Sequence, residues 1–92
     1  MTKQVLYHIV FRGDVQGVGF RFTARELALR YGVRGWVRNN PDGTVECEVE
    51  GDSRMIAQFL DDLKEYFREN LTDAEVQERE PVSTMSGFKV RF

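Results

Sequence analysis

The 92-residue chain holds one cysteine, Cys47, and one histidine, His8. A single thiol closes no intramolecular disulfide, and one imidazole beside it makes no metal-ligand cluster, so neither a metal nor another cofactor is expected. No segment approaches the ~20 apolar residues that span a bilayer, and the opening Met1-Thr2-Lys3-Gln4 lacks the apolar core of a signal peptide. A cytoplasmic setting with no membrane partner is the expectation. Repeats, low-complexity tracts and linkers are missing too, so residues 1–92 are read as a single domain with one modest core and a shallow site. At 41% hydrophobic and 30% charged residues, the composition is that of a globular chain. A formal charge of −2 gives no general affinity for nucleic acid.

The charge is unevenly spread, however. Lys3, Arg12, Arg21, Arg25, Arg30, Arg34 and Arg38 outweigh Asp14 and Glu26 in residues 1–40, a net +5 that leaves −7 for the remainder. Inside the basic half lies Gly13-Asp14-Val15-Gln16-Gly17-Val18-Gly19-Phe20-Arg21, three glycines and an arginine in nine residues. Such a loop can turn its N–H groups onto a ligand, and a helix starting at its end adds positive potential. Arg21 would complete an anion cradle with a planar, permanently charged fork suited to phosphate.

Periodicity supplies the elements around the loop. Val5 to Phe11 alternates with apolar groups on both faces, and the bulkier set, Val5, Tyr7, Ile9 and Phe11, is expected to face the core. Phe20, Ala24, Leu27, Ala28 and Tyr31 form one helical stripe ending at Gly32, with Arg25 and Arg30 off it. A strand from Val33 to Asn39 and one from Thr44 to Glu50 flank the turn formers Asn40-Pro41-Asp42-Gly43 and make a hairpin. Glu46, Glu48 and Glu50 alternate with Val45, Cys47 and Val49, which predicts a wet face. Asp52 or Ser53 caps a second helix with the stripe Met55, Ile56, Phe59, Leu60, Leu63, Tyr66 and Phe67. Ala74 to Val82 is read as a strand, and Phe88, Val90 and Phe92 alternate in a closing one. The order β-α-β-β-α-β with an extra terminal strand gives an α+β, ferredoxin-like split β-α-β sandwich: an antiparallel sheet, two helices on one face and a short extra C-terminal strand.

The loop and the segment Gly35-Trp36-Val37-Arg38-Asn39, taken with Gly43 and Val45, read G-x-V-Q-G-V-G-F-R followed by G-W-V-x-N-x-x-x-G-x-V. Both motifs, in this order and spacing, resemble those of the acylphosphatase family, and the resemblance extends over essentially the whole chain. It implies metal-independent hydrolysis of the carboxyl–phosphate bond of small acyl phosphates, giving a carboxylate and inorganic phosphate. Carried over by position, Arg21 would hold the phosphoryl group together with the backbone of Val15, Gln16, Gly17, Val18, Gly19 and Phe20, and Asn39 would position the attacking water. The expected partner is thus a small-molecule acyl phosphate, met by a monomer. Asp14 departs from the basic or small polar residue usual there, and a carboxylate at that point weakens anion binding unless it turns outward.

Other groups receive plainer readings. His8 is taken as a structural or surface group and Cys47 as a small buried hydrophobe. A sheet that stacks single-stranded RNA would want basic or aromatic groups where Glu46, Glu48 and Glu50 stand, so no nucleic-acid partner is expected. The rival to a hydrolase is a binding module that keeps the cradle as a carbamoyl-phosphate or anion receptor, as in hydrogenase-maturation carbamoyltransferases. The end at Phe92, without further domains, favours the free hydrolase.

Overall fold

A computed structural model describes residues 3–92. Its elements run β1 (Gln4–Gly13), α1 (Phe20–Tyr31), β2 (Arg34–Asn39), β3 (Val45–Asp52), α2 (Ser53–Tyr66), β4 (Leu71–Arg79) and β5 (Phe88–Arg91). The strands form one sheet in the order β4-β1-β3-β2-β5. β1 pairs antiparallel with β3 and with β4, and β2 antiparallel with β3, which completes the split β-α-β frame. β5 adds to the free edge of β2 in parallel, so the five-stranded sheet is mixed. The sequence pattern marked this strand but carried no information on its direction.

Alternation decides which side of the sheet is dry. Val5, Ile9 and Phe11 of β1, Val37 of β2, Val45, Cys47 and Val49 of β3 and Phe88 of β5 share one core with the helices. From α1 come Phe20, Ala24, Leu27 and Ala28, and from α2 Ile56, Phe59, Leu60 and Leu63. Met55 and Tyr66, expected in the α2 stripe, are instead exposed, because they sit at the margin of a contact seam narrower than the run of apolar residues. Asp52 caps α2, its carboxylate accepting from Arg54 N at 2.8 Å.

Two further expectations change. β4 occupies Leu71–Arg79 rather than Ala74 to Val82. The connection from α2 is tight, with Asn70 N and Leu71 N both donating to Phe67 O, so pairing begins at once. The face carrying the β3 glutamates is also less wet than predicted. His8 lies between Glu46 (2.8 Å from Nε2) and Glu48 (3.0 Å from Nδ1), and Arg38 reaches Glu46 at 2.8 Å. Trp36 lies beside them, under the guanidinium groups of Arg38 and Arg91. Glu50 is fully buried and accepts from Val82 N at 2.6 Å and Ser83 N at 3.0 Å, with Arg34 at 3.4 Å. β4 and β5 lie at opposite edges, so residues 80–87 must cross this face, and Glu50 on β3 grips the crossing midway. Alternation identifies a face turned from the core, but a connection distant in sequence decides what covers it.

Candidate active site

The glycine loop leaves β1 with Asp14 N bonded to Asn70 O at 2.9 Å. Val15 is buried and fastens the loop to the core. Gly17 (φ 75°) and Gly19 (φ 81°) take left-handed backbone conformations that other residues enter at a cost, and Gly19 is also the residue from which α1 starts. Thr23 N closes the first helical turn onto Gly19 O at 3.0 Å, and the first turn holds no acidic residue. The N–H groups ahead of Thr23 are those a helix leaves without internal partners, and they carry its positive end.

These groups border a concavity of about 780 Å³ lined by Val15, Gly17, Gly19, Phe20, Arg21 and Asn39, among others. Arg21 and Asn39 therefore share one hollow although they come from different elements. Arg21 donates through Nη1 to Arg91 O at 2.9 Å, and its guanidinium lies 4.7 Å from the centre of the Phe92 ring. Asn39 ends β2 opposite Val45, and its Oδ1 is buried without a hydrogen-bond partner. A buried amide oxygen left in that state costs roughly 1–3 kcal/mol unless water or a ligand meets it.

Two of the six expected loop residues stand away from the hollow. The Gln16 side chain turns to the β2–β3 connection, where Nε2 donates to Asn40 O at 2.7 Å and Thr44 O at 2.9 Å. Val18 is exposed and is not among the residues lining the hollow. Asp14 is exposed and is not part of the lining, so its carboxylate is outside the hollow. His8 is on the opposite face of the sheet, and burial, helped by nearby Glu48, pushes the Cys47 thiol far up. Among the described residues no three His, Cys, Asp or Glu side chains converge as a metal-holding group, and no helix is long and apolar enough to cross a membrane.

The far wall was not foreseen. Phe22 and Arg25 of α1, Phe88, Lys89 and Val90 of β5, and Phe92 supply it. Arg25 was within reach of a sequence argument, since it follows Arg21 by four residues on one helical face. The β5 contribution depends on a parallel pairing that brings Gly35 opposite Phe88 and Val37 opposite Val90.

Strand order, helix placement and a hollow at the start of α1 define a ferredoxin-like sandwich with a site built from loop, helix and strand end. The acylphosphatase family model matches residues 7–90. The chain belongs to the acylphosphatase family, as the two motifs implied. It is 40% identical over 88 residues to an acylphosphatase of Ligilactobacillus salivarius, covering 94% of this chain and 97% of that one. With an acylphosphatase of Pediococcus pentosaceus the identity is 51% over 57 residues, 62% of this chain and 63% of the relative, so the match spans less than two thirds of that protein. The crystal structure of acylphosphatase from Bacillus subtilis superposes with a TM-score of 0.86 at 30% identity, covering 96% of this chain and 99% of that one. A similar unit occurs in full-length HypF in its phosphate- and nucleotide-bound form (TM-score 0.83, 31% identity), covering all of this chain and 12% of that one.

Proposed function

We propose that the protein hydrolyses small acyl phosphates to a carboxylate and inorganic phosphate. In phosphoryl transfer the charge rests on the equatorial oxygens while attacker and leaving group lie in line, so positioning and electrostatic stabilisation do most of the work. Loop and helix N–H groups with the Arg21 guanidinium are donors of the type those oxygens need. Asn39 would take one hydrogen bond from a water through Oδ1 and direct its oxygen at phosphorus. The new O–P bond forms as the bond from phosphorus to the acyl oxygen breaks. The electron pair leaves on the carboxylate, and the water's proton passes to a phosphoryl oxygen. An amide is too weak a base to take that proton, which assigns Asn39 to aiming rather than deprotonation.

The observation that carries this reading is the unpartnered Asn39 Oδ1, buried in the same hollow as Arg21. The test is a hydrolysis assay on acetyl, benzoyl and carbamoyl phosphate with EDTA present, comparing the wild type with two variants. Asn39→Ala should lower kcat about a hundredfold or more, the scale of losing one transition-state donor, while inhibition by inorganic phosphate shifts by less than threefold. Arg21→Lys replaces a fork with a point charge and should weaken both turnover and phosphate binding. A wild-type protein that binds phosphate but turns over none of these compounds would make the chain a receptor. A large loss of phosphate affinity in Asn39→Ala would move that residue from aiming to binding.

A further inference from the structure

Arg21 is not the hollow's only cation. Arg25 and Lys89 line it as well, and among the described residues no Asp or Glu side chain does. Among the described residues neither enters an ion pair, whereas Arg12, Arg34, Arg38 and Arg68 each face a carboxylate. Arg25 lies one helical turn beyond Arg21, on the same side of α1 and about 6 Å further along its axis at 1.5 Å per residue. Phe22, Val90 and Phe92 border the same hollow and give it apolar walls. Running along α1, then, the site offers oxyanion donors at Gly19 to Arg21, apolar surface, and a second guanidinium. The transferred phosphoryl group engages only the first of these.

We infer that Arg25 determines substrate preference by pairing with a carboxylate at the far end of the acyl chain, so that the favoured substrates are monoacyl phosphates of short dicarboxylic acids. A four-carbon acid is long enough to reach from the phosphoryl site to the next turn of the helix. The guanidinium fork meets a carboxylate in a bidentate, charge-assisted arrangement, and its position at an open rim limits the gain to that of a partly screened pair. This inference rests on the acyl phosphate reading of the site.

The test compares succinyl phosphate with its monomethyl ester, a near-isostere without the distal charge, in the wild type and in Arg25→Gln, Arg25→Lys and Lys89→Gln. In the wild type, kcat/KM for succinyl phosphate should exceed that for the ester about fivefold at low ionic strength, and the ratio should shrink in 0.5 M salt, because the screening length falls from about 30 Å at about 0.01 M toward about 3 Å at about 1 M. Arg25→Gln should bring the ratio close to one, with Arg25→Lys in between. Arg25 is exposed, so these variants should fold normally. The inference fails if the wild type treats both compounds alike, if Arg25→Gln keeps the preference, or if Lys89→Gln alone removes it. Hydrolysis of neither compound by the wild type would overturn the enzymatic reading itself, a separate result from loss of preference.

Discussion

Gln16 ties the cradle loop to the strand end that bears Asn39, and its removal separates stability from geometry. Gln16→Met keeps the length of the side chain but deletes the donor to Asn40 O and Thr44 O. A net hydrogen bond is worth roughly 0.5–1.5 kcal/mol. Both carbonyls keep another partner, Asn40 O from Gly43 N at 3.1 Å and Thr44 O from Asn40 N at 2.8 Å, so neither is orphaned. The lower half of the range then applies to each bond, about 1–2 kcal/mol in all, which at 4–8 °C per kcal/mol for a domain this size lowers Tm by roughly 4–16 °C. Turnover should suffer more. On the proposed mechanism a displacement on the order of 1 Å between Arg21 and Asn39 should cost around a hundredfold in kcat, because positioning enters the barrier directly. Urea denaturation gives the first quantity and steady-state kinetics with benzoyl phosphate at 25 °C, where the variant remains folded, gives the second. A kcat within twofold of wild type would refute the claim that this side chain sets the spacing of the site, and equal stability would show that the two bonds contribute nothing net.

Two further variants probe the frame. Burial alone would raise the Glu50 carboxyl, but the N–H groups of Ser83 and Val82 and the Arg34 guanidinium outweigh it and hold it below its ordinary 4.5. A carboxyl lowered in the folded state stabilises fully above its unfolded value, and that contribution is lost as pH falls through the folded one. Glu50→Gln should therefore cost about 2 kcal/mol at pH 7 by urea denaturation, and the gap to wild type should close progressively below about pH 4.5. A gap constant from pH 7 to pH 3 would remove Glu50 from the acid response. Gly35→Ala would set a Cβ 1.8 Å from Glu48 O at φ 151°, forcing β2 and β3 apart. The expected loss is about 3 kcal/mol or more, read from the denaturation midpoint, and a loss under 1 kcal/mol would show that the strands part easily there.

The legible part of the fold was the part written in local periodicity. Alternation in β1 and β3 and the stripes of α1 and α2 gave the four-stranded frame and the dry side of the sheet, since each depends on residues within one element. Both motifs were visible because the loop, Arg21 and Asn39 lie at the ends of those same elements. What stayed hidden depends on distant pairing. Nothing near Phe88 reveals that β5 runs parallel to β2, so Arg91 O as the support of Arg21 was out of reach. Glu50 illustrates the same limit, since its parity with Glu46 and Glu48 suggests exposure and only the crossing of residues 80–87 makes it a buried anchor. Gln16 belonged to a recognised motif, yet its side chain works on the β2–β3 connection and not toward the hollow.

That crossing separates the durability of the sandwich from that of the working site. The Arg21 guanidinium, proposed to hold the phosphoryl group, rests on a carbonyl of β5, a four-residue edge element that reaches its place only by spanning the sheet. Edge segments of this kind detach at lower free energy than the core they lean on. On the proposed mechanism activity should therefore have its own melting curve: under mild acid or heat the arginine should lose its rest while both helices and the inner strands stay folded, and hydrolysis should fade ahead of any spectroscopic sign of denaturation.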